Sequence, residues 1–227
     1  MNTQIKAYLE QHAEPQYQAF TQKLVPNARH VLGVRMPLLH ALAKEIAKDD
    51  WHSYLCVASS DTYEEIMLQG LVLTRLRQPL SQTWPYIEKW VLLVNNWAHC
   101  DSVAMNFSFA KKDKPLLWDL LQPYLKSNEE FLARFGVVVL LDNFINEEYI
   151  DRVLTVLETV EDNGYYTDMA VSWALSLCCA QFPLPTKAFL IKHILRRDVH
   201  NGAIIKVCQS RRVPDEQKAM WRTLLRK

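Results

Sequence analysis

Trp97 and Asp101 stand four residues apart in the stretch NNWAHCDSVAMNFSF, residues 95–109. Four residues make one helical turn, so in a helix the indole and the carboxylate share a face. An indole packs against sugars and bases. A carboxylate beside a sugar carbon stabilises positive charge developing there and orients an attacking water. Arg134 and Trp173 extend the set, 37 residues beyond Trp97 and then 39 further on. A guanidinium suits phosphate, and a second indole repeats the first. One chemistry that joins these residues is cleavage of a glycosidic bond, whose transition state is oxocarbenium-like. An N-alkylated purine makes a single acid sufficient, because the cationic base departs neutral and needs no proton donor. Chemistry and spacing alone do not select that substrate.

The elements that must carry these residues read as helices throughout. TQIKAYLEQHA and PQYQAFTQKLV form two short N-terminal helices, with Pro15 at a favoured first-turn position. In PLLHALAKEIAKDD, Leu38, Leu39, Leu42 and Ile46 follow helical spacing. Further helices are expected at 62–77, 82–94, 97–110, 114–125, 128–143, 147–161, 164–181, 185–197, 199–208 and 214–226. Pro79, Pro115, Pro183, Pro185 and Pro214 fall near their edges, where proline punctuates helices. VVVLL at 137–141 reads as buried helix rather than strand. The 37- and 39-residue steps approach the period of HEAT-type hairpins, about 40 residues. In such an array, residues one period apart line one surface. The expectation is therefore an all-α, single domain over 1–227, a curved solenoid of HEAT-like helical hairpins. Its concave face binds DNA, with short N-terminal helices at 1–30 and basic C-terminal helices at 192–227.

Composition narrows the alternatives. Hydrophobic residues make up 49% of the 227, enough for a sizeable core. The five glycines form no phosphate-binding loop, which argues against Rossmann and P-loop nucleotide enzymes. Cys56, Cys100, Cys178, Cys179 and Cys208 show no CxxC spacing. With no N-terminal signal peptide, they read as reduced cytoplasmic thiols, near the nucleoid if the source is bacterial. No apolar run reaches the roughly 18 residues of a membrane span. Neither neighbouring Cys178 and Cys179 nor His99 and Cys100 can chelate one metal from adjacent helical positions. The other six histidines show no ligand spacing. Net charge is +1, but residues 192–227 carry ten basic and three acidic side chains, which hints at a polyanion.

Four segments taken together, LGVRMPLLHALAKEI (32–46), NNWAHCDS (95–102), LARFGVVVLL (132–141) and YYTDMAVSWALSLC (165–178), resemble the AlkD-like glycosylases of the DNA alkylation repair family of HEAT-like repeat proteins. The likeness runs in order over residues 15–215. It implies excision of N3- and N7-alkylpurines from duplex DNA, without metal or cofactor, and a solenoid of this size is expected to be a monomer. It also implies that the base is not flipped into a pocket. Asp101 matches the family's catalytic carboxylate, Trp97 and Trp173 the aromatics against the lesion nucleotide's backbone, and Arg134 the arginine supporting the DNA. Ala98, His99 and Cys100 stand where the family can carry a second aromatic, and the N-terminal helices are short. Arg35, near a helix start, is a further phosphate candidate, as is the segment AKKDK at 110–114. Tyr166 is a candidate for reaching the groove. Two other readings fit a helical groove: a non-catalytic protein that binds damaged or branched DNA, and a protein-interaction scaffold. The basic C-terminal region and the Trp-Asp-Arg-Trp set favour DNA over the scaffold.

Overall fold

The computed structural model describes residues 2–109 and 111–227, the side chain of Lys111 excepted. Those residues form α-helices and one 3-10 turn at Lys111–Asp113, with no strand among them. The chain divides into two compact units, Met1–Lys114 and Pro115–Lys227.

The first unit holds α1 (Asn2–Gln11), α2 (Pro15–Leu24), α3 (Met36–Lys48), α4 (Trp51–Val57), α5 (Tyr63–Leu73), α6 (Leu80–Val91) and α7 (Trp97–Ala104). Here α3 packs on α5 and α5 on α7, while α4 lies against α3 and α6 against α5. All eleven residues of α5 are buried, which marks it as the centre of the unit. Its start is set by a reciprocal cap: Thr62 accepts from the Glu65 N–H, and the Glu65 carboxylate accepts from the Thr62 N–H.

The second unit is built from α8 (Lys114–Leu125, whose first residue closes the first unit), α9 (Glu130–Phe144), α10 (Ile150–Thr159), α11 (Tyr165–Gln181), α12 (Pro183–Lys192), α13 (Arg197–Gln209) and α14 (Asp215–Arg222). The run α9, α11, α13 packs side by side, with α10, α12 and α14 lying against it. The segment 137–141 is helix, entirely buried within α9.

Several elements differ from the expected ranges, and three of the differences have a clear local reason. Helix α7 stops at Ala104 rather than running to 110, because Asn106 donates its side-chain N–H to the Ser102 carbonyl at 2.7 Å and caps the last turn. Ala110 itself lies outside the described residues, and 111–113 form the 3-10 turn where a loop was expected. Helix α12 ends at Lys192, since the Arg226 guanidinium takes the carbonyls of Leu190, His193 and Leu195. Helix α4 was not expected; its signal is Asp50, whose carboxylate accepts the Ser53 N–H at 3.0 Å.

Helix α7 begins at residue 97, α9 at 130 and α11 at 165, so their starts are 33 and 35 residues apart. Trp97 is consequently the first residue of its helix, Arg134 the fifth and Trp173 the ninth. Counted from the start of its own helix, each therefore stands at a different turn.

Candidate functional site

In the first unit the site is a stripe on α7. Ala98, His99, Cys100, Val103 and Ala104 are buried, whereas Trp97 and Asp101 are partly exposed and Met105 is exposed. The stripe follows i, i+4, i+8 spacing, so the indole and the carboxylate do share one face.

The start of α7 is held rigidly. The Asn96 side-chain oxygen accepts the His99 N–H at 2.9 Å, and its amide N–H donates to His99 Nδ1 at 2.8 Å. His99 Nε2 donates to the Tyr63 carbonyl at 2.9 Å, and the two rings stack at 4.4 Å. With Nδ1 accepting and Nε2 donating, the imidazole is neutral. Burial pushes its pKa down to about 4, against the pull of the Tyr63 hydrogen bond. In the sequence His99 is weighed only as a metal ligand; the signal of its structural role is the Asn96-x-x-His99 cap.

Trp97 has a second anchor. Its indole N–H donates to the carbonyl of Leu24, the last residue of α2, at 3.2 Å. Helix α2 is itself tied down. Gln18 donates to the Val31 carbonyl at 2.6 Å, and the Glu14 N–H donates to Gly33 at 3.1 Å. The buried Glu64 carboxylate in turn accepts the N–H groups of Leu32, Gly33 and Val34 at 2.7–3.2 Å. The guanidinium of Arg35 is exposed but engaged: it grips Glu14 through two nitrogens, at 2.8 Å each, and lies 5.0 Å from the Tyr17 ring centre. Arg35 lowers the Glu14 carboxyl below its ordinary range, chiefly through these hydrogen bonds.

In the second unit the N-terminal end of α11 is clamped to α9. The Glu130 carboxylate accepts the Tyr166 N–H at 2.7 Å, the Thr167 hydroxyl donates to the Glu130 carbonyl at 2.9 Å, and Asn163 donates to Ser127 at 2.6 Å. Arg134 is 6% exposed, and its Nη1 donates to the Tyr166 carbonyl at 2.6 Å. The Tyr166 ring packs 5.4 Å from Phe131. Trp173 lies mid-way along the partly exposed stripe Tyr166, Met169, Trp173, Leu177, Ala180; the rest of α11 is buried apart from Asp168 and the exposed end residues Tyr165 and Gln181. A large aromatic on such a stripe offers a packing face to whatever covers it.

The basic C-terminal region is narrower than its charge count suggests. Arg196 is paired with Asp168 and Asp162, Lys218 with Asp215 at 3.1 Å, and Arg226 is spent on carbonyls. Lys192, Arg197, Arg211, Arg212, Arg222 and Lys227 are exposed. Among the described residues, no group of three His, Cys, Asp or Glu is placed to hold a metal ion. Nor is any helix long and apolar enough to cross a membrane.

A family model described as DNA alkylation repair enzyme matches residues 5–207, which spans every candidate side chain above. The chain belongs to this family. Membership gives it a role in the repair of alkylation damage, with DNA as partner. The match ends within α13, so α14 and the Arg226 latch lie beyond the segment shared with the family. Comparison with curated proteins found no match.

Proposed function

We propose that this member of the family is a DNA glycosylase that releases N3- and N7-alkylated purines from duplex DNA. The observation that carries the reading is Asp101: a carboxylate one turn from an indole, partly exposed with Trp97 and Ser102 on a helix whose remaining residues are buried. A carboxylate so placed keeps access to a ligand while its helix is held still by the core.

The cationic alkylpurine is its own leaving group, so the protein need not protonate it. As the C1′–N bond lengthens, positive charge builds on the sugar. Asp101 stabilises that charge and orients the water that completes hydrolysis. Trp97 packs against the nucleotide backbone and fixes the sugar near the carboxylate, and Trp173, in the second unit, offers its own ring face to the DNA. Arg134, immobilised on the Tyr166 carbonyl, supplies positive potential toward the phosphates. Tyr166 lends its ring at the head of the Trp173 stripe. Arg35 contributes little charge, being neutralised by Glu14.

The test is release of free 7-methylguanine from duplex DNA carrying that base, measured against the spontaneous rate. Release well above that rate is expected. Retained, salt-sensitive binding of the duplex without release supports instead the non-catalytic DNA-binding reading. No binding at physiological salt supports the protein scaffold.

A further inference from the structure

An indole carries one polar atom, its Nε1–H. In Trp97 that atom is used within the protein, on the carbonyl of Leu24. Leu24 closes α2, and the last four carbonyls of a helix lack intrahelical donors. The indole therefore satisfies a carbonyl that the end of α2 leaves open.

The position of that carbonyl is set from several directions. Gln22 donates to the carbonyls of Ala28 at 2.9 Å and Pro26 at 3.2 Å, closing the turn after α2. The Val25 N–H returns to Thr21 at 2.9 Å. At its other end, α2 is joined to the 31–35 segment, which the Glu64 carboxylate holds against α5. Trp97 is thus fixed twice over: by its backbone in α7, which packs on α5, and by its ring through α2.

We propose that Leu24 is a positioning residue for the reaction: its backbone carbonyl orients the Trp97 indole, so that α2 sets the angle at which the ring meets the lesion nucleotide. The inference rests on the glycosylase reading for what Trp97 touches. It adds that Trp97 acts through its ring faces alone, donates no hydrogen bond to DNA, and depends on the N-terminal helices for its aim. The α1–α2 pair then serves the active surface through one defined contact.

The test replaces Trp97 with benzothienylalanine, which keeps the shape of the bicyclic ring and removes the N–H. A single neutral hydrogen bond sets the scale, so the single-turnover release rate is expected to fall about five-fold while duplex affinity is unchanged. An unchanged rate overturns the proposal. So does a loss confined to affinity, which would mean that the N–H binds DNA. If the natural protein releases no base, the glycosylase reading fails and a second measurement still decides this one. The Trp97 indole proton, assigned by its disappearance in Trp97→Phe, should exchange with solvent about ten-fold more slowly than a free indole, before and after duplex is added. Leu24→Ala, which keeps the carbonyl, should leave that protection intact. Exchange at the free-indole rate, or protection that arises only with DNA, contradicts it.

Discussion

Arg134 Nη1 donates to the carbonyl of Tyr166 at 2.6 Å, fastening α9 to the first turn of α11. The same turn is held by Glu130 from the first residue of α9, so two charged side chains of opposite sign grip adjacent backbone groups of Tyr166. Removing the guanidinium leaves a carbonyl short of its donor and a void in a buried layer. Arg134→Met is expected to destabilise the protein by about 2–3 kcal/mol. Urea denaturation measures it; a loss below about 0.5 kcal/mol would assign Arg134 no structural part.

Gly33 has φ of +90°, and a Cβ there would meet the Glu14 carbonyl oxygen at 2.5 Å and the Gln18 nitrogen at 2.6 Å. Both conformation and space exclude a side chain. Gly33→Ala is expected to cost about 2–4 kcal/mol and to loosen α2 from the 31–35 segment. Denaturation together with limited proteolysis between residues 11 and 30 reports both effects. Unchanged cleavage would show that α2 is held by other contacts.

His99 supplies a pH dependence. Its pKa is near the ordinary 6.5 when unfolded and about 4 when folded. Between those values the unfolded chain binds the proton and the native protein does not, so stability falls as the medium is acidified. The contribution is complete above pH 6.5 and lost by about pH 4, a swing of about 3 kcal/mol. His99→Gln removes this slope, so the two stability–pH curves should converge toward acid. Parallel curves would contradict the neutral, buried imidazole.

Much of this architecture was legible in the sequence because it follows from periodicity. The apolar spacing in 36–48 dictates an amphipathic helix, and the apolar run 135–141 a buried one. The pairing of Trp97 with Asp101 was legible for the same reason: one turn apart, they share a stripe. What sequence could not show is where long side chains go. Asn106 ending α7, Arg226 ending α12 and Glu14 neutralising Arg35 are contacts between distant or flexible groups, and no period encodes them. Counting between Trp97, Arg134 and Trp173 does not encode where each helix starts, and they occupy the first, fifth and ninth positions of their helices. His99 stood out only as a failed metal ligand beside Cys100, because its partner, the Tyr63 carbonyl, lies 36 residues away.

The exposed basic residues give a prediction about DNA itself. Arg211 and Arg212 lie exposed between α13 and α14. If they meet phosphates, each change to Ala should reduce the slope of log affinity against log salt by about one, without altering preference for the damaged base. Arg226→Ala, by contrast, should act on stability, because its guanidinium holds carbonyls. An unchanged slope in Arg211→Ala and Arg212→Ala would remove that turn from the interface.

The most direct test of the account compares the natural protein with Asp101→Asn on duplex DNA carrying N7-methylguanine. Asparagine keeps the size and shape of the side chain but cannot carry the negative charge that the oxocarbenium-like sugar requires. The account predicts that base release falls at least about a hundred-fold while duplex binding holds or tightens. Release that survives the substitution within a few-fold would contradict it, and would move the chemistry away from Asp101.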